Sequence, residues 1–258
     1  MKKKLLLLMV VVSLVAVPAS AQFQQLIEFQ VKPGHEIAFE SYIKKIGEAA
    51  DKIDSPMSWS TFNVTVGKSG ATYRVALPFE KWGDRDKWQG VRQLLVEAFG
   101  EEEGSKIYSE GSSQAASSSS RIWEVIDEGT ANPQTGTELS PFYDVLIRWV
   151  KPEMVGEYQG LLRRFKSVYE AAEGKPSVTR WVLRFGSGQN TTFRRTQPFT
   201  KWADRDGWDP VALINAQFGP DAPLLIDRLN AAVWKNEHFV SAYRADLSRT
   251  AAASTSNE

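Results

Sequence analysis

Four arginines occupy positions from which a guanidinium could receive an anion. Arg180, Arg184 and Arg194 fall in two adjoining β-type segments, and Arg74 falls in an earlier, similar pair. Alternate residues of a strand point to one side, so Arg180 and Arg184 share a face, to which the expected hairpin register adds Val178, Val182, Thr192 and Arg194. Read the same way, the earlier pair puts Trp59, Thr61, Asn63, Thr65, Thr72 and Arg74 on the matching face. Phe62, Val64, Val66, Tyr73, Val75 and Leu77 then take the other. Such a polar face can neutralise a carboxylate, a phosphate or another anion through forked, charge-assisted hydrogen bonds. The plainer alternative is a sheet face open to water.

Other chemistries find little support. With no Cys there is no thiolate nucleophile, Cys-type zinc site or iron–sulfur cluster. His35 and His238 are the only histidines, each without a counterpart in the other half, so no metal centre is expected. No GxSxG elbow or HExxH pair occurs, and Gly186-Ser187-Gly188 fits a hairpin better than a phosphate loop. No residue is assigned a catalytic role, and no cofactor is expected.

The elements that position these residues come in duplicate. Pro78-Phe79-Glu80-Lys81-Trp82-Gly83-Asp84-Arg85-Asp86-Lys87-Trp88 recurs as Pro198-Phe199-Thr200-Lys201-Trp202-Ala203-Asp204-Arg205-Asp206-Gly207-Trp208. Matches at Trp and Phe, both rare types, mark a duplication of whole domains and not a short solenoid period. Val31-Lys32-Pro33 and Val150-Lys151-Pro152 extend it, and a residue gained in the second hairpin turn changes the offset from 119 to 120. The motif's chemistry is structural: Phe79, Trp82, Trp88, Phe199, Trp202 and Trp208 anchor a helix to a sheet. Asp84, Asp86, Asp204 and Asp206 cap a helix start. A catalytic acid pair is the weaker alternative.

Each half reads βαββαβ, with helical spacing at Phe39, Ile43, Ile46, Ala50 and at Tyr158, Leu162, Phe165, Tyr169. The last strands are expected over 121–126 and 239–247. The Ser-rich stretch 112–120 is expected to be a degraded helix, since its counterpart 227–236 looks helical. Lys2-Lys3-Lys4, the apolar run Leu5–Val17 and Pro18-Ala19-Ser20-Ala21 read as a secretory signal. The domain reading is a signal peptide 1–21, first repeat 22–126, linker 127–141, second repeat 142–247 and disordered tail 248–258. Equal counts of 31 basic and 31 acidic side chains give no general attraction to nucleic acid. The mature chain is expected to be exported, periplasmic or secreted, with no membrane anchor left after cleavage.

Two consecutive βαββαβ units resemble the ferredoxin-like dimeric α+β-barrel superfamily, which includes antibiotic-biosynthesis-type monooxygenases, NIPSNAP-like proteins and chlorite-dismutase-like haem proteins. The resemblance implies tandem repeats whose antiparallel sheets pack face to face as an intramolecular pseudo-dimer, with helices outside. It implies further that the polar face lines the space between the sheets. The residues expected there are Arg180, Arg184, Arg194, Arg74, Asn63 and Trp59, holding a small anionic or aromatic molecule. A cofactor-independent oxygenase or related small-molecule enzyme is the alternative that the resemblance adds. A structural or assembly role, with homo-oligomer formation, is the third.

Overall fold

The computed structural model describes residues 21–134, 138–206 and 208–251. The body of the expected leader, residues 1–20, and residues 252–258 of the expected tail lie outside the described residues. Each half opens with a strand stopped by a Lys-Pro step: β1 (Phe23–Val31) in the first, with β5 (Phe142–Val150) in the second. Proline lacks the donor that would continue the ladder. A long amphipathic helix follows, α1 (Glu36–Lys52) or α4 (Val155–Ala171), burying Phe39, Ile43 and Ile46 or Tyr158, Leu162 and Phe165. Then come the hairpins, β2 (Ser60–Val66) with β3 (Thr72–Phe79), and β6 (Thr179–Phe185) with β7 (Thr192–Phe199). Two helices precede the last strand in each half: α2 (Val91–Phe99) and α3 (Glu101–Ser112), then α5 (Pro210–Phe218) and α6 (Ala222–Ala231). The last strands are β4 (Ala115–Val125) and β8 (Val233–Tyr243).

The last strands are longer than expected. Ser117–Ser120 belong to β4, not to a degraded helix, because pairing with β1 runs unbroken from Phe23↔Glu124 to Gln30↔Ser117. Ladder hydrogen bonds override serine's weak strand preference.

The expectation of two sheets packed face to face is overturned. All eight strands form one closed antiparallel barrel in the order β1-β3-β2-β8-β5-β7-β6-β4. The halves are joined at two seams, β2 with β8 and β4 with β6. Closure leaves no strand edge unpaired. At the first seam the strands approach so closely that a Cβ on Gly67, whose φ is +92°, would clash with the His238 carbonyl oxygen.

Among the described residues the barrel has three large apolar clusters and a small fourth one of Phe23, Phe79 and Ile122. Its interior is filled by Leu26, Trp123, Val145, Ile147, Leu183 and Phe239, with Phe62, Val64 and Trp181 against them. Outside, α1 to α3 cover one apolar layer, including Tyr73, Val75 and Leu77, and α4 to α6 cover a second, including Val178, Val182 and Phe193.

A segment following each last strand crosses to the other half. After β4, the Ile126 amide donates to the Arg180 carbonyl and Ala131 forms a bridge with Val178. After β8, the Arg244 amide donates to the Thr61 carbonyl and Arg249 bridges Trp59. Even the clasp hydroxyls match. Thr130 Oγ1 accepts from the Arg180 amide and donates to the Ile126 carbonyl, as Ser248 Oγ accepts from the Thr61 amide and donates to the Arg244 carbonyl. Ser248 and Arg249, placed in a disordered tail from sequence, are therefore hydrogen-bonded parts of the fold.

Candidate functional site

Register decides which side chains meet. Cross-strand partners point to the same side of a sheet, and in the first hairpin Phe62 faces Arg74 and Asn63 faces Tyr73. In the second, Trp181 faces Arg194 and Arg180 faces Arg195. The single polar face drawn from sequence is thus split by a one-residue slip in β2 and β6. Phe62 and Val64 point into the barrel, away from Tyr73, Val75 and Leu77. Arg74 and Arg194 point into the barrel, whereas Arg180, Arg184, Asn63 and Trp59 point outward.

Each of the six has its own surroundings. Arg74 binds Glu28 through Nε at 2.8 Å and Nη2 at 2.5 Å, and its guanidinium lies 4.0 Å from the Phe239 ring centroid. Burial alone would raise the Glu28 carboxyl, but Arg74 and Lys68 reverse this and hold it below its usual range. Arg194 lies between the rings of Trp123 and Trp181 and donates to Gln24 Oε1 at 2.7 Å. Arg184 is committed to Glu124 and to Asn190 Oδ1 at the barrel's outer surface. Trp59 donates to the Leu247 carbonyl at 2.9 Å beneath the clasp. Asn63 is half-buried, and its Oδ1 has no partner among the described residues.

Arg180 is different. It is 5% exposed, sits on the sheet face that α4 covers, and its guanidinium has no acceptor among the described residues. Burial pulls its pKa down to about 10, with Tyr169 and Tyr158 working in the opposite direction. Beside it are further polar groups that are buried without partners: Arg195 Nε, Gln197 Oε1, Tyr158 Oη and Ser177 Oγ. Gln197 and Ser177 also line a cleft of about 350 Å³ with Arg205, Phe199, Asp204 and Trp208.

Beneath this layer lies Asp144, with no exposed surface. It accepts from Arg195 Nη2 at 2.6 Å and from Arg205, and its Oδ2 is 2.9 Å from His238 Nε2. Burial would raise this carboxyl, but the hydrogen bond with His238 and the charge of Arg195 hold it far below the usual range.

Sequence reasoning did not single out Asp144, Arg195, Gln197 or Tyr158, yet the repeat contained the signal. At equivalent positions the first half has Gln25, Val75, Leu77 and Phe39, and Thr61 stands where the second half has Arg180. Val75, Leu77 and Phe39 belong to a continuous apolar core. At three of these five positions one copy places hydrocarbon where the other places a hydrogen-bonding group.

The repeated motif holds its junctions together. Phe23 stacks on Phe79 with centroids 5.3 Å apart, and Phe142 on Phe199 at 5.2 Å. Half-exposed Trp82 and Trp202 lean on these pairs, while Trp88 packs against Phe79 and Trp208 against Tyr169. Asp84 accepts from the Lys81 amide, and Asp204 from the amides of Thr200 and Lys201. The Lys81 amide holds the Asp84 carboxyl below its usual range, and the Thr200 hydroxyl, followed by the Lys201 amide, does the same for Asp204. Asp86 and Asp206 make no side-chain hydrogen bond among the described residues.

Solved structures share this architecture. An anthrone oxidase-like protein aligns over 91% of this chain and 95% of its own, at 15% identity and a TM-score of 0.53. A protein of Fusobacterium nucleatum, provisionally described as a monooxygenase, aligns over 86% and 91% at 12% identity and a TM-score of 0.52. The fold is the dimeric α+β barrel. A chlorite dismutase from Candidatus Nitrospira defluvii aligns over 88% and 93% at 9% identity, with a TM-score of 0.50. No family model matches the sequence, and no curated protein does.

Haem, which the chlorite-dismutase-like proteins of the resembled group carry, does not fit the residues present. An axial histidine must face a flat apolar slot. His35 Nδ1 is 2.6 Å from Gln114 Oε1 at the start of α1, and His238 is tied to Asp144 beside a cleft walled by Gln30, Lys68, Asn236 and Glu237.

Proposed function

We propose that the chain binds a small organic anion, a carboxylate or a phosphate ester, between the second half's sheet and α4. One observation carries this: Arg180 is a buried guanidinium with no acceptor among the described residues, amid four more groups without a partner there, where the first copy has Val75, Leu77 and Phe39 in place of Arg195, Gln197 and Tyr158. An uncompensated buried charge is expensive unless something pairs with it. Arg180 and Arg195 supply cationic donors, and Gln197, Ser177 and Tyr158 supply neutral groups for orientation. Trp208 and Tyr169 add an apolar wall suited to a ring. The basic and apolar leader supports placing this binding outside the cytoplasm.

Turnover of the bound molecule is a second reading, favoured by the half-exposed His238. A buried carboxylate orients its ring, as in proton-transferring pairs. Oxygen uptake with phenols or quinols tests it.

The binding test uses the mature chain and a panel of aromatic and aliphatic carboxylates and phosphate esters at fixed chloride, read by thermal shift. At least one compound should stabilise the wild type, and Arg180→Thr with Gln197→Leu, which restores the first copy's residues, should remove the effect. Stabilisation that survives in this double variant would refute the site.

A further inference from the structure

The barrel interior holds a separate charge imbalance. By register, Arg74, Arg121 and Arg194 on the strands and Lys235 on β8 face inward, and Lys68 reaches in from the hairpin to Glu28. Among the described strand residues the inward acids are Glu28 and Glu237. Glu28 is occupied by Arg74 and Lys68 together.

Arg194 is as buried as Arg74 but lacks its countercharge. It is 3% exposed and has no carboxylate within 4.0 Å among the described residues. Among the described residues its one acceptor is the neutral Gln24 Oε1, and its Nε–H has none. Burial, with the charge of Arg74 adding to it, presses its pKa well below the usual value. The Nε1–H of Trp123, whose ring lies against Arg194, is likewise buried without an acceptor. Both groups can only donate. Two unpartnered donors on adjacent side chains, one of them a cation, ask for an acceptor that carries negative charge.

We infer that the barrel interior binds a small inorganic anion, of halide or nitrate size, between the Arg194 guanidinium and the Trp123 indole N–H. The occupant must be small because Trp123, Ile147 and Leu183, with no exposed surface, and Phe239 fill the surrounding space. A weakly hydrated ion suits the site, since it loses least on leaving water. The two indole faces flanking Arg194 supply cation–π attraction but no hydrogen-bond acceptor for its Nε–H.

The site is independent of the Arg180 layer, which lies on the opposite face of the same strands. Its test is therefore separate. Wild type and the Arg180→Thr, Gln197→Leu variant, both purified in sodium gluconate, are melted against rising sodium chloride, bromide or nitrate, with gluconate holding ionic strength constant, so that any release of gluconate's own carboxylate from the Arg180 layer is subtracted. The wild type should gain about 5–10 °C at a hundredfold excess over Kd, and Arg194→Met should gain nothing. A wild-type crystal grown in bromide gives the second readout, an anomalous peak at hydrogen-bond distance from Arg194. No halide-specific shift, an equal shift in Arg194→Met, or a water and no bromide at that position would each overturn the proposal. Because the bromide measurement uses wild-type protein, it decides the matter even where the variant fails to fold. Loss of halide response with carboxylate binding intact, or the reverse, tells failure here from failure at Arg180.

Discussion

Asp144 offers the most direct test of how the second half is held together. Replacing it with Asn keeps the shape but removes the charge that Arg195, Arg205 and His238 share. The Arg195 side chain, 10% exposed, then faces an amide that can also donate, so a buried cation loses its counterion. Breaking a buried pair from one side costs about 3–5 kcal/mol. His238, half-exposed, adds little to this. For a domain of this size each kcal/mol moves Tm by about 2–4 °C, so Asp144→Asn should melt about 6–20 °C below wild type. The first copy supplies the control, since it folds with Gln25 and Val75 at the equivalent positions. Asp144→Gln with Arg195→Val removes the charge and its partner together and should cost less than about 2 kcal/mol, a strongly non-additive cycle. Denaturant melts of both variants, and of Asp144→Gln and Arg195→Val singly, decide it. A double variant as unstable as the sum of the singles, or an Asp144→Asn variant within about 1 kcal/mol of wild type, would refute the pairing.

Two further outcomes follow from the same structure. Asp144 and Glu28 both have folded pKa values below their unfolded values of about 3.9 and 4.3, so the stability they contribute is complete above those values. It is lost as pH falls from about 4 towards the folded values; melts between pH 7 and pH 3 should show Tm level and then falling, and a Tm that rises on acidification contradicts this. Gly104→Ala, in the first turn of α3, should destabilise despite alanine's better helix propensity, because the new Cβ would lie 2.5 Å from the Leu95 carbonyl oxygen and 2.6 Å from Val96 Cα. A denaturant midpoint at or above wild type would show that α2 and α3 can separate.

The duplication and the element order were legible because they rest on rare residues and on helical spacing, at Trp82 and Trp202 or Phe39 and Tyr158. The faces of the hairpins were not. Alternation marks a strand that is wet on one side, but β2 is covered on both, with Phe62 and Val64 in the barrel and Trp59 and Thr61 under the clasp. Its alternation is plain, with Phe62 and Val64 on one face and Thr61 and Asn63 on the other, but only the register set by the loop decides which face of β3 each joins, and that register was one residue off. Ser117–Ser120 concealed a strand for a related reason: small polar side chains give no pattern, and pairing with β1 supplies what the sequence lacks. Arg180 was singled out, but with Arg194 as its neighbour in place of Arg195.

The exchanged clasps make neither half complete alone. Ile126 and Ala131 lie in the apolar layer of the second half, and Leu247 in that of the first. A chain severed between β4 and β5 beyond Ala131 would leave two fragments, each carrying the latch its sibling needs. Each would stay adhesive until they met, so the pair has to assemble as a heterodimer. The covalent link then acts mainly to raise the local concentration of two pieces that already fit.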